Sequence, residues 1–454
     1  MRIRHLTAAL VSAGTASALA ILPLAGASAA VAPARFVAQH IAAAAPHRMI
    51  PAVQSPVAYK YAGNVGVKGN ANFLFTCQLP GAALNCYTPP ELRTAYDIPA
   101  RLTGAGQTIV IIDAFGEPTI GADVAVEDTT FGLGPTNLHV IAPDGQPVFD
   151  PTSADEESWA GETALDVESS HAVAPRATID LVIAKSDQDA DILSALRYVV
   201  THHLGSVLSQ SYGEAEACQD PSIVRADHLL FAAAARQGMS VFASSADDGA
   251  ALPSCDNTTF IKAVSVPAAD PLVTGVGGTS LTATQPDGTY ESETAWNDAF
   301  GSSGGGFSTL FRRPAYQRGF VHSAARGVPD VSYSGDVNNG LLIAWSEGLP
   351  SQVGDIFTFG GTSAGSPQWA AITALADQNA HHRLGFLNDC LYRLAHGPLY
   401  NYVFHDVTTG NNSVTLSDSG GNPVNITGFP ATSGWDAVTG LGTPDVAHLL
   451  RFLR

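Results

Sequence analysis

Residues 107–113 read QTIVIID. Four consecutive β-branched apolar residues, with Gly104-Ala105-Gly106 before them and Asp113 after, form the pattern of a strand with neither face in water. Such strands belong to parallel sheets covered by helices. Similar runs recur at 178–184 (TIDLVIA), 206–209 (SVLS) and 239–244 (MSVFAS). Between them lie helix-like segments at Ser158–His171, Asp189–His202 and Pro221–Gln237. Strands alternating with helices at this spacing imply an α/β fold: a doubly wound, mostly parallel sheet with helices on both faces. In such a sheet, chemistry gathers at the carboxyl ends of the strands and the helix starts beyond them.

The composition agrees with a large folded domain. Of 454 residues, 45% are hydrophobic and 14% charged, with 22 Lys+Arg against 41 Asp+Glu and a net charge of −19. That apolar fraction argues against disorder. The acidic excess disfavours nucleic acid and anionic membranes as partners, and it suits an acid medium. Arg2, Arg4 and His5, an apolar run from Leu6 to Leu24, and Ala27-Ser28-Ala29 read as a secretory signal peptide over 1–29. Its removal leaves 20 − 41 = −21. We expect an exported monomer without stable membrane association. Residues 30–85 form a short N-terminal segment, a reduced pro-region or linker, and 86–454 the main domain. Export permits disulfides. Cys77 and Cys86 are close enough for a small loop, and Cys218 and Cys255 sit in polar loops beside core strands. We expect the pairs 77–86 and 218–255, with Cys390 left as a thiol.

Ser363 stands at a glycine-flanked turn in FGGTSAGSP (359–367), where a helix begins. Its hydroxyl can be exposed there at the positive end of the helix dipole, as a nucleophile requires. The alternative is a helix cap. A histidine base would come from His171, with Asp113 to orient it. However, His171 precedes Ala172-Val173-Ala174-Pro175, so it closes a helix, where an imidazole is a good end residue. Glu162 and Asp166 are spaced i, i+4 and share a helix face. They are either a solvated acidic face or a carboxyl pair sharing one proton. Asp247, in ASSADDG (243–249), follows a core strand at its carboxyl end. If protonated, it could donate to a developing oxyanion.

Together these positions resemble the sedolisin family, the serine-carboxyl peptidases, which share the subtilisin fold but not its triad. The likeness runs from about Cys86 to the C-terminus through motifs in order: LRTAYDIP, GQTIVIID, GETALDVESSHAVAP, LSQSYGEAE, VFASSADDGA, VPAADPLVTGVGGTSL, SETAWN, SSGGGFST with RRPAYQ, RGVPDVSYSGD, GGTSAGSP, GFLNDCLY, and FHDVTTGNN with GWDAVTGLGTP. The resemblance implies a subtilisin-like fold, Ser363 as nucleophile, Glu162 as general base, Asp166 as the acid beside it and Asp247 as the oxyanion-hole carboxyl. It also implies one structural Ca²⁺, held by the carboxylates of Asp406 and Asp436 and the carbonyls of Val407, Thr432 and Gly434. All-oxygen ligation suits that ion. Ser211, Tyr212 and Gly213, with Gly304, Gly305 and Gly306, are the loops expected to hold a substrate backbone.

Three departures from the family pattern stand out. The segment before residue 86 is short for a family prodomain. Ser245-Ala246-Asp247-Asp248-Gly249 replaces a pattern closer to S-G-D-S-G, and Tyr212 stands where tryptophan is common. The expected activity is acid-acting endopeptidase cleavage of protein or peptide substrates. The rival expectations are a tripeptidyl aminopeptidase of the same family, an inactive binding protein on this fold, and a histidine-dependent subtilase.

Overall fold

In a computed structural model of the chain, the QTIVIID run becomes β1 (Thr108–Ala114), the strand around which the main sheet is ordered. Residues 85–454 are described continuously, preceded by 50–51, 60–64, 75–79 and 82. The signal peptide expected at 1–29, and most of the 30–85 segment, lie outside the described residues.

The other strands of this sheet, in chain order, are β2 (Asn137–Ile141), β3 (Thr178–Ala184), β4 (Val207–Gln210), β5 (Ser240–Ser244), β6 (Thr274–Ala283), β7 (Tyr290–Ala295) and β8 (Val331–Ser334). In space the order is β2-β3-β1-β4-β5-β6, all parallel. Beyond β5, β6 pairs β8 in parallel and β7 antiparallel. β1 meets β3 with Thr108 opposite Thr178, and meets β4 with Ile109 opposite Val207.

Four helices cover the sheet, α2 (Ala154–Val173), α3 (Asp189–Thr201), α4 (Pro221–Arg236) and α5 (Thr362–Ala380), and α1 (Ile120–Phe131) packs on α2 from outside. Alternation along β1 explains why both faces need cover. Ile109 and Ile111 pack with Ala164 and Val167 of α2 and Trp369, Ile372 and Leu375 of α5. Val110 and Ile112 pack with Ile192, Leu196 and Val199 of α3 and Val224 and Phe231 of α4. All four β1 side chains are fully buried, each contributing about 1.5–3 kcal/mol of transfer free energy. This is the doubly covered, mostly parallel α/β sheet that the strand pattern implies.

The topology also fixes where a site can form. From β1 the chain goes out to the edge strand β2, returns to β3 beside β1, then crosses to β4 on the other side of β1. The order therefore reverses between β1 and β4, which leaves a crevice at their carboxyl ends. Asp113 stands at that end of β1, and Ser211 directly follows β4. Two disulfides, Cys77–Cys86 and Cys218–Cys255, join the pairs expected from the sequence, and Cys390 is a half-buried thiol. Among the described residues, no helix is long and apolar enough to cross a membrane.

Candidate active site

α2 is the first wall of the crevice. Ser153 caps it, its hydroxyl accepting the Glu156 N–H at 3.3 Å, and Asp155, Glu156 and Glu157 fill the first turn, where the helix dipole favours them. From Trp159 to Val173 every residue is buried. A helix so enclosed should carry apolar residues all round, yet it holds Glu162, Asp166, Glu168 and His171, each fully buried. The reading of Glu162 and Asp166 as a solvated acidic face is therefore excluded.

Asp166 faces Glu162 one turn away and Asp113 on β1. Burial, and then the charges of Asp113 and Glu162, hold its carboxyl well above the ordinary range, while the nearby Ser211 hydroxyl acts the other way. Burial pushes Asp113 up to about 7. Tyr212, in the short strand Tyr212–Ala215, packs its ring 5.8 Å from that of Trp159 on α2 and donates its hydroxyl to Gln210 at 2.9 Å.

α5 is the opposite wall. Gly361 precedes it at φ +93°, and Gly360 lies where a Cβ would meet the Gly335 carbonyl at 2.5 Å, so this sharp entry requires glycine. Pro367 in the second turn has no N–H and cannot donate to the Ser363 carbonyl four residues back. The Ser211 hydroxyl approaches that carbonyl instead, at 3.4 Å, and Ser363 Oγ reaches back to the Ser211 carbonyl at 3.5 Å. Ser363 is fully buried, not exposed as the turn suggests, and it is tied to the segment beside Asp166. Its own hydrogen bond is long enough to be given up easily, as in many catalytic groups awaiting substrate.

Asp247 follows β5 and is held by the residue before Ser363. The Thr362 N–H and hydroxyl both donate to Asp247 Oδ1, at 2.7 and 2.8 Å, and the Thr362 hydroxyl accepts the Ala246 N–H at 3.1 Å. Oδ2 is buried with no hydrogen-bond partner among the described residues. Burial pushes this carboxyl up to about 8, against the Thr362 hydrogen bonds, and the Asp248 charge adds to the rise. Ala246 has φ +85°, a conformation glycine would adopt without strain, so the Ser-Ala-Asp departure carries a backbone cost of about 1–2 kcal/mol.

His171 is elsewhere. It lies nine residues beyond Glu162, about 13 Å along the helix. Its Nε2 meets Asp128 Oδ1 at 2.7 Å and the Gly134 carbonyl at 3.2 Å, and burial lowers its pKa. Asp113, the residue that would orient it in a histidine triad, faces Asp166 instead.

The six loop residues expected to hold a substrate backbone divide into two groups. The strand Tyr212–Ala215 pairs on one edge with Ser265–Val266 and on the other with Ile50–Pro51, antiparallel, with Ile50 opposite Gly213 and Pro51 opposite Tyr212. A Cβ on Gly304 would lie 1.9 Å from the Ser245 carbonyl oxygen, and one on Gly305 would lie 2.2 Å from that of Ala437. Those two glycines let their loop press on the Asp247 turn and the 436–439 loop. Gly306 instead starts the strand Gly306–Arg312.

The C-terminal residues also converge. Asp406 accepts the Gly434 N–H on both oxygens at 3.1 Å, the Tyr400 hydroxyl at 3.0 Å and the Ser433 hydroxyl at 3.0 Å. Asp436 accepts the N–H groups of Thr432, Val438 and Thr439, each at 2.9 Å. These donors are all neutral, and neither carboxylate joins an ion pair among the described residues. Two carboxylates without a countercharge, with Val407 next in the chain, offer the hard oxygen donors that a divalent cation such as Ca²⁺ takes. A separate set, Asp97, Asp445 and His448, is compact enough to share an ion, but Asp445 caps the last helix and pairs with His448 at 2.7 Å.

No family model matches the chain. It is 35% identical over 397 residues to Kumamolisin of Bacillus sp. (strain MN-32), an alignment covering 84% of this chain and 66% of that protein. It is 30% identical over 386 residues to Sedolisin of Pseudomonas sp. (strain 101), covering 81% and 61%. Among solved structures, Pseudomonas sedolisin, a serine-carboxyl proteinase in complex with two molecules of pseudo-iodotyrostatin, superposes with a TM-score of 0.70. That match has 29% identity and covers 82% of this chain and 99% of that one. The chain spans about two thirds or less of the length of the curated relatives it matches.

Proposed function

The chain belongs to the sedolisin family of serine-carboxyl peptidases, and on that premise we propose that it is a secreted, acid-acting endopeptidase with Ser363 as nucleophile. The observation that carries the reading is Asp247. One oxygen is clamped by Thr362, the residue before Ser363, the other is buried without a hydrogen-bond partner among the described residues, and burial pushes the carboxyl up to about 8. In acid that oxygen bears a proton and can donate it to an oxyanion, which an ionised aspartate could not do.

The steps follow from the groups at hand. Ser363 Oγ attacks the peptide carbonyl carbon as Glu162 takes the hydroxyl proton, and the carbonyl oxygen, now negative, accepts from Asp247. The C–N bond breaks as Glu162 returns the proton to the leaving amine, giving an acyl ester on Ser363. Water then attacks that ester with Glu162 again as base, which releases the acid and restores the serine. Asp166 shares a proton with Glu162 and orients it. An extended substrate would lie along the Tyr212–Ala215 strand in the place of Ile50–Pro51, the antiparallel partner that its outer edge holds in this structure.

Calcium, when bound by Asp406, Asp436 and the carbonyls of Val407, Thr432 and Gly434, would clamp the 406 loop to the 432–436 loop and take no part in bond cleavage. Its removal by a chelator is expected to lower the melting temperature by roughly 5 °C, with recovery on adding Ca²⁺ but not Mg²⁺. An unchanged melting curve would remove calcium from the account. The activity itself is tested by incubating a denatured protein with the purified chain at about pH 4 and sequencing the products. Internal fragments are expected. Three-residue steps from the N-terminus would replace the endopeptidase with a tripeptidyl peptidase, and intact substrate would favour the binding-protein reading.

A further inference from the structure

The other side of α2 holds a second set of acids that the chemistry above leaves unused. Glu168 points away from the crevice, toward α1 and the strand Asn339–Ala344, and accepts the Ala344 N–H on Oε2 at 2.7 Å. On α1, Asp123 and Glu127 lie one turn apart and both are fully buried. Asp123 Oδ2 accepts the Ser346 hydroxyl at 2.8 Å and the Ser346 N–H at 3.3 Å. Glu117, 6% exposed, faces Asp123 and accepts the Thr119 hydroxyl at 3.0 Å. Among the described residues, neither oxygen of Glu127 has a hydrogen-bond partner, nor does Oε1 of Glu168 or Oε2 of Glu117.

The charged groups around this set do not neutralise it. Asp128, next to Glu127, is taken by His171, and the Asn339–Ala344 strand and Ser346 contribute only N–H groups and one hydroxyl. Among the described residues, no Lys or Arg pairs with any of the four acids. A shared metal ion is not the answer, because no three of these carboxyls come close enough to ligate one. What remains to neutralise the three glutamates is the proton.

We propose that Glu117, Glu127 and Glu168 form a proton-held latch that keeps α1 seated on α2 in acid and releases it as the medium turns neutral. Uncharged carboxyls can stay buried between α1, α2 and the Asn339–Ala344 strand, whereas three anions in that space, beside Asp123, repel one another and seek water. α1 is the element free to leave, since it covers α2 from outside the sheet. Its departure would uncover the helix that carries Glu162 and Asp166. The latch would thus confine the folded site to acid by a means separate from the site's own titration, and it does not depend on the proposed activity.

The direction of the pKa shifts supports this. Burial holds Glu117, Glu127 and Glu168 each well above the ordinary glutamate value of 4.5, and Coulombic repulsion adds to all three: from Asp123 on Glu117, from Asp128 on Glu127, and from Glu127 on Glu168. For acids raised in the folded state, stability is complete below 4.5 and is lost as pH climbs from there through the folded values.

The test compares thermal unfolding of the full chain at about pH 4 and about pH 7.5, all in a Ser363→Ala background so that self-digestion does not enter. Glutamine keeps the size of a protonated glutamate and cannot ionise. Glu127→Gln and the double variant Glu127→Gln/Glu168→Gln are expected to melt near the parent temperature in acid but several degrees above it at neutral pH, the double variant more so. Hydrogen exchange at neutral pH should find residues 120–131 of the parent opening first, with protection recovered in the variants. A difference between the two pH values as large in the double variant as in the parent would overturn the latch. So would a loss of stability at both pH values, which would assign these acids an ordinary packing role.

Discussion

Ser363→Ala is expected to lower kcat/KM for peptide cleavage by roughly 10⁵-fold while leaving the fold intact. The size of the effect follows from the commitment of every other hydroxyl nearby. That of Thr362 is bound to Asp247 Oδ1, that of Ser211 is turned to the Ser363 carbonyl, and that of Ser366 is shared with Ser209 at 2.9 Å. None can replace the lost nucleophile without breaking the contact that holds it. Stability should barely change, because Ser363 Oγ makes only a 3.5 Å contact and its loss leaves no buried charge unpaired. The measurement is steady-state kinetics on one peptide together with a melting curve. A variant retaining a tenth of the activity would move the nucleophile elsewhere.

Glu162→Gln should cost about 10³-fold in kcat with a small change in KM, since the amide has the same shape but cannot take a proton. The same substitution removes one of the charges that raise Asp166. At neutral pH the buried acid set is then less strained, and the variant should melt at or above the wild-type temperature. Opposite movements of activity and stability are the signature of a group kept for chemistry. A purely structural carboxylate would lower both, so parallel losses would remove Glu162 from the base position.

Much of this is readable in the chain itself. A run such as QTIVIID has one physical solution, a strand buried on both faces, and the helices around it have the length and spacing that such a sheet requires. β2 and α1 escaped because their signals are weak. Asn137–Ile141 is a short edge strand with a half-exposed pattern, and α1 buries Asp123 and Glu127 where a periodic reading expects apolar residues. In the crevice, the Glu162–Asp166 spacing and the Ser363 turn were visible. Whether the acids were solvated depended on the burial of α2, a property of packing and not of spacing.

Asp113 shows the same limit from the other side. Its place at the carboxyl end of a core strand marked it as a candidate, but sequence order suggested His171 as its partner, and the fold instead sets it beside Asp166. Thr362 carries no local signal of its role. Its clamp on Asp247 joins residues more than a hundred positions apart, and no local pattern announces such a contact. Pro367 was the available clue to the Ser211–Ser363 contact, because a proline in a helix leaves a carbonyl four residues back that another group must satisfy.

The most direct test is the pH dependence of kcat/KM for the purified chain on a single peptide, with Ser363→Ala as the blank. A carboxyl base working beside protonated acids predicts an optimum below about pH 5. Activity should then fall as the coupled acids lose protons, beginning before the value of about 8 at which Asp247 would ionise. An optimum at neutral pH, reached by a single rise at or below the ordinary imidazole value of about 6.5, would contradict the account and put an imidazole base in place of Glu162.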